Sequence, residues 1–157
     1  MQSANDLFTF MLFRWGRRFL AFSFCLFFTP TLLQAQLFLP PVNYQAGIAP
    51  RCMVAKDFNG DGKLDIATSD WGGNTVSVLI GNGLGALSAP TAYAVGQVPQ
   101  RIASADINAD GYMDLVTTNF SSNSLSVLYG LGNGQFSQAD SIYVGLKPYD
   151  LVLPILI

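Results

Sequence analysis

Residues 47–95 and 96–144 can be laid over one another without a gap, and 17 of the 49 paired positions are identical. A chain that repeats itself at this period builds one supersecondary unit per copy, and each unit buries its apolar face against its neighbour. The identities include Gly47/Gly96, Pro50/Pro99, Asp57/Asp106, Asn59/Asn108, Asp61/Asp110, Gly62/Gly111, Asp65/Asp114, Asn74/Asn123, the Ser-Val-Leu of 77–79 and 126–128, and Gly81/Gly130. A third copy opens at Val144-Gly145 and Pro148, but Ile155 stands where its first aspartate is due.

Inside each copy, short runs of apolar residues and threonine alternate with Gly, Asn and Asp clusters, a pattern of strands joined by tight turns. Strands are expected near 52–56, 64–69, 75–80 and 88–94, and again near 101–105, 113–118, 124–129 and 140–144. Gly72-Gly73-Asn74 and Ser121-Ser122-Asn123 read as hairpin connections. No segment of helical length in the repeats carries helical periodicity. The expected fold class is all-β: about two four-stranded antiparallel units, preceded by a signal-peptide helix.

That helix is expected because residues 11–36, MLFRWGRRFLAFSFCLFFTPTLLQAQ, place three arginines before an uncharged run from Phe19 to Leu33, followed by the small residue Ala35. The run is interrupted by Pro30 and falls short of the roughly 20 residues needed to span a bilayer. Residues 1–35 are therefore expected to be a secretory leader, with no membrane span after cleavage, and residues 36–157 the mature region. Met11 opens a cleaner leader than Met1, since Asp6 precedes the arginines. Cys25 lies inside the apolar run, behind Phe24 rather than a small residue, which argues against lipidation. Cys52 then has no intramolecular partner and is expected to be a small, partly buried side chain.

Beyond residue 35 the chain holds five basic residues, nine aspartates, no glutamate and no histidine. An acidic balance of this kind disfavours nucleic acid as a partner. Without histidine the commonest general base and the commonest zinc ligand are both missing, which disfavours hydrolytic triads and zinc chemistry.

The acids are concentrated in two loops. Asp57, Asn59, Asp61 and Asp65 place side-chain oxygens at loop positions 1, 3, 5 and 9, with the backbone carbonyl of Lys63 at position 7. Asp106, Asn108, Asp110 and Asp114, with the carbonyl of Tyr112, repeat the plan. Calcium takes six to eight such oxygens in a flexible shell, and Gly62 and Gly111 permit the sharp turn. Carboxylates about 5 Å apart repel by about 3 kcal/mol per pair at an effective dielectric near 20, so such a loop is expected to need a cation. An EF-hand would require a bidentate acid at position 12, where this chain has Thr68 and Thr117, and Asp65 and Asp114 are therefore expected to ligate directly.

DFNGDGKLD and DINADGYMD, each preceded by a Pro-x-x-Ile/Met segment and followed by a Ser-Val-Leu strand and a GNG-type turn, resemble FG-GAP/VCBS repeats, the calcium-binding blades of integrin-alpha-like β-propellers. The resemblance covers residues 42–154. It implies that the eight side chains just named, with the Lys63 and Tyr112 carbonyls, hold two Ca2+ ions. It also implies a propeller, whose closure takes four to eight blades. Two blades and the start of a third, from 145 to 157, are expected to be an incomplete propeller and a truncated product, with self-association through open blade edges as the other outcome.

The expected role is that of a secreted or cell-surface, non-catalytic scaffold that binds an extracellular protein or glycan. A rival reading is the N-terminal part of a propeller-based lyase or hydrolase, or a carbohydrate-binding module. Against an enzyme, Asp70, Asp140 and Asp150 are the acids left over and form no pair in sequence. Trp71 and Phe120 hold equivalent positions just after a strand and are the candidate ligand platform, with packing between blades as the alternative; the equivalent pair Tyr44 and Tyr93 is read the same way.

Overall fold

A computed structural model describes residues 41–153. The leader and the signal-peptide helix expected over residues 1–35 lie outside the described residues. The repeats form eight strands: β1 Pro50–Lys56, β2 Asp65–Asp70, β3 Thr75–Leu79 and β4 Thr91–Ala94, then β5 Pro99–Ala105, β6 Asp114–Asn119, β7 Ser124–Leu128 and β8 Asp140–Tyr143. Every strand boundary in the second set lies 49 residues beyond its counterpart in the first. The strands make two four-stranded antiparallel sheets, in the orders β1-β2-β3-β4 and β5-β6-β7-β8. We call them the first and second blades.

The fourth strand of the first blade is shorter than the 88–94 the sequence pattern predicts, while β8 falls within one residue of its expected 140–144. Pro90 has no amide to give to a ladder, and β4 begins only after it. Ahead of Pro90 the chain is held by side chains instead: Ser88 Oγ accepts the Ile80 amide at 2.9 Å, and the Ser88 amide donates to the Ile80 carbonyl at 2.8 Å. Ser137 holds Tyr129 in the same way in the second blade.

Each β2–β3 connection is closed by an asparagine in the left-handed region, Asn74 at φ 54° and Asn123 at φ 54°, a conformation that asparagine tolerates better than most residues. Asn74 does a second job. Its Oδ1 accepts the Val98 amide at 2.8 Å and so pins the entry of the second blade, and Asn123 Oδ1 accepts the Lys147 amide at 2.9 Å in the same geometry. The start of the third copy is thus set down as the start of the second is.

The blades pack face to face, with β1 against β5. Ala67, Val76 and Val78 of β2 and β3 and Ile102, Leu115 and Leu128 of β5, β6 and β7 belong to one buried cluster. Cys52 is a free thiol, partly buried against that cluster. Near one end of the interface stands Phe136, 6% exposed, with Phe58 edge-on at 5.5 Å and Tyr93 edge-on at 5.8 Å between ring centroids. Backbone bonds cross at the same place, from the Gly134 amide to the Phe58 carbonyl at 3.0 Å and from the Phe136 amide to the Tyr93 hydroxyl at 3.2 Å. Gly134 lies at φ 79°, in the left-handed region where a Cβ is strained, so the chain favours glycine here.

Truncation of a buried phenylalanine that also makes two edge-on contacts costs about 3 kcal/mol or more. Phe136→Ala is therefore expected to lower the urea midpoint of the whole two-blade unit in a single transition; loss of the second blade alone, in a separate transition, would show that the blades do not fold as one.

Candidate metal centre

The two acidic loops join the first strand of each blade to its second. In the first loop Asp57 organises the backbone: its Oδ1 accepts the amides of Asn59, Gly60 and Asp61 at 3.3, 2.7 and 3.2 Å, and its Oδ2 that of Gly62 at 2.7 Å. Asn59 Oδ1 accepts the Asp61 amide and Asp61 Oδ1 the Lys63 amide, at 3.0 and 2.9 Å. These are successive Asx turns, each carboxylate or amide oxygen folding the residues that follow it. The second loop repeats them, with Asp106 accepting the amides of Asp110 and Gly111, Asn108 that of Asp110, and Asp110 that of Tyr112.

The turns force two left-handed residues per loop: Gly60 and Gly62 at φ 76° and 79°, then Ala109 and Gly111 at φ 60° and 89°. Ala109 thus carries a Cβ in a conformation that costs an L-residue about 1–2 kcal/mol.

The position-9 acids stand apart from the others. Asp65 and Asp114 are fully buried. Asp65 Oδ2 accepts the Phe58 amide at 3.0 Å and Oδ1 the Gly81 amide at 2.8 Å, while Asp114 takes the amides of Ile107 and Gly130, each at 2.8 Å. Each acid therefore ties the start of its loop to the turn beyond the third strand. Gly81 and Gly130 are glycines for this reason, because a Cβ there would lie 2.1 Å from the Leu64 carbonyl oxygen or 2.3 Å from that of Met113. The sequence marked both glycines as repeated without indicating that they serve the buried acids.

Charge is handled differently in the two loops. Lys63 Nζ lies 3.1 Å from Asp61 Oδ2. The Lys63 amide first, and then its ammonium, hold the Asp61 carboxyl below the usual aspartate range. A depressed carboxyl favours folding above its unfolded pKa and loses that contribution as pH falls through the folded value. In the second loop Tyr112 replaces the lysine, and Asp110 Oδ2 accepts the Asn108 side-chain amide at 2.8 Å.

All donors in both loops are oxygens, as a hard cation requires; Asp57 Oδ1 already accepts three amides, whereas Asp57 Oδ2 and Asp61 Oδ1 each accept one and keep a further lone pair. Among the described residues no group of three Asp, Glu, His or Cys side chains forms a metal cage by itself. An ion here would draw on the Asn59 or Asn108 side chain and the Lys63 or Tyr112 carbonyl as well. The chemistry of the donor set fits calcium.

The leftover acids are spread out. Asp70 is buried among hydroxyl donors, with Thr68 at 2.8 Å, Thr75 at 3.0 Å and Ser77 at 2.6 Å, and its counterpart Asn119 donates to Ser124 and Ser126. Asp150 lies 3.7 Å from Arg101, and Asp140 is exposed. Trp71 is 46% exposed, whereas Phe120 packs edge-on against Tyr149 at 6.4 Å with Lys147 Nζ 5.7 Å from its ring centre.

The family model of the FG-GAP-like repeat matches residues 57–117, from the head of the first acidic loop to the middle of β6. The chain carries an FG-GAP-like repeat. The matched stretch takes in both acidic loops and all of the strands between them. The two four-stranded sheets fit a propeller-like FG-GAP repeat domain. Comparison with curated proteins and with solved structures finds no match.

Two consequences can be measured by urea unfolding. Asp65→Ala strands two buried amides and is expected to cost about 3 kcal/mol, with Asp65→Asn costing about half as much because the amide oxygen still accepts one of them. Exchanging the left-handed residues should act in opposite directions, Gly60→Ala destabilising and Ala109→Gly stabilising, each by about 1 kcal/mol.

Proposed function

We propose that this FG-GAP-like repeat region is an extracellular, non-catalytic interaction scaffold whose two acidic loops each bind one calcium ion. The observation that carries the reading is the duplicated loop: eight oxygen side chains at positions 1, 3, 5 and 9, on backbones already curled by their own Asx turns. Asp57, Asn59, Asp61, Asp65 and the Lys63 carbonyl would hold the first ion; Asp106, Asn108, Asp110, Asp114 and the Tyr112 carbonyl the second. Bound calcium would supply positive charge and coordination to these oxygens and so offset the mutual repulsion of the carboxylates. The leader-like segment ahead of the repeats supports export, and outside the cell calcium is millimolar. The partner is a protein or a glycan, with Trp71 as one exposed aromatic available for contact.

At a dissociation constant near 0.1 mM, 1 mM calcium adds about 1.4 kcal/mol of stability per site. Calorimetric titration of the full chain should show two equivalents of calcium bound and a rise in melting temperature that a chelator reverses. Asp57→Ala together with Asp106→Ala should abolish both. No heat of binding, and a melting temperature indifferent to calcium and chelator, would sink the reading.

A further inference from the structure

The contact between the two blades has a donor side and an acceptor side, and the described residues leave one of each uncovered. On the donor side, the first loop inserts Phe58, which is 3% exposed because it lies against Phe136. Its counterpart 49 residues on is Ile107, in the same backbone position and held by the same kind of bond, its amide on Asp114, yet 45% exposed. On the acceptor side, Met113, Leu115, Gly132, Gly134 and Phe136 of the second blade correspond to Leu64, Ile66, Gly83, Gly85 and Leu87 of the first. Met113, Leu115 and Phe136 belong to or pack on the buried cluster, whereas Leu64 is 66% exposed. The residues of the first blade line an open, mainly apolar groove of about 550 Å³, together with Tyr44.

We propose that this groove receives Ile107 from a second copy of the chain, so that the second blade of one copy stacks on the first blade of the next as the two blades stack within a chain. The occupant is a second copy because each copy carries both halves of an interface whose complementarity is already displayed between residues 58 and 136. Such a contact is heterologous, and repeated it closes a ring if the rotation allows. Two, three or four copies would give the four to eight blades at which propellers close.

Tyr44 sharpens the geometry. It is the repeat counterpart of Tyr93: its hydroxyl donates to the Gly85 carbonyl in the groove, where the Tyr93 hydroxyl instead accepts the Phe136 amide at the equivalent place in the second blade. An incoming second blade carries Ile142 at that place, so Tyr44 must swing aside for the copies to dock. The tyrosine is a plug that competes with association.

The test is the mass of the full chain by light scattering over a range of concentrations, in millimolar calcium so that the result does not depend on whether the loops bind the ion. Wild type is expected to reach the mass of two to four chains. Ile107→Asp and Leu64→Asp, both at exposed positions, should each be monomeric with unchanged circular dichroism. An equal mixture of the two should return to the mass of two chains, because it restores one intact knob and one intact groove. Tyr44→Ala should associate at several-fold lower concentration than wild type. A wild-type chain that stays monomeric, single variants that still associate, a mixture that stays monomeric, or a Tyr44→Ala chain that associates no better than wild type would overturn the proposal.

Discussion

In each repeat the buried carboxylate at the end of the acidic loop ties that loop to its blade. A charge taken fully out of water is tolerated only when donors surround it, and Asp65 and Asp114 are met by backbone amides from two directions. The first amide, of Phe58 or Ile107, fixes where the acidic loop begins and where its apolar side chain points. The second, of Gly81 or Gly130, fixes the turn that leaves the third strand. In the first repeat, loop, blade and interface therefore share an anchor: the acid at loop position 9, Asp65, also positions Phe58, on which the neighbouring blade packs.

The two copies solve the same problem with different residues, and the differences mark what each position tolerates. Asp70 and Asn119 fill equivalent buried pockets, one accepting from three hydroxyls and the other donating to two. Gly47 and Gly96 stand against them because a Cβ would lie 2.0 Å from the Asp70 carboxylate or 2.5 Å from the Asn119 amide. Lys63 offers an ammonium to Asp61 where Tyr112 offers none to Asp110, so the second loop keeps more uncompensated negative charge. Phe58 is covered and Ile107 is not, which is the expected asymmetry of a repeat whose neighbour is present on one side among the described residues.

Much of the fold was legible in the sequence because the repeat is gapless: once one unit is read as four strands, the other follows at an offset of 49, and the strand boundaries obey it throughout. The hairpins at Asn74 and Asn123 and the loops at 57–65 and 106–114 were legible from turn chemistry. What could not be read was which polar residues are buried. Asp65 looks like Asp61 in sequence, and only the approach of the Gly81 backbone separates a buried anchor from a rim oxygen. The repeated glycines were visible as identities, but their cause is a tertiary contact with a carbonyl or a carboxylate distant in sequence. The fourth strand of the first blade was drawn too long because the pattern was followed across Pro90, which has no amide for the ladder; that of the second, expected at 140–144, ends one residue sooner.

Two buried acids, Asp65 and Asp114, anchor the two acidic loops. Amide hydrogen exchange followed by NMR addresses this anchoring directly, at the amides of Phe58, Gly81, Ile107 and Gly130. Those four should exchange among the slowest in the chain, alongside β2 and β6, and should remain slow in chelator, while calcium should slow and shift the amides of Gly62 and Gly111 within the loops. Exchange at the four anchored amides as fast as at exposed loop positions would contradict the account.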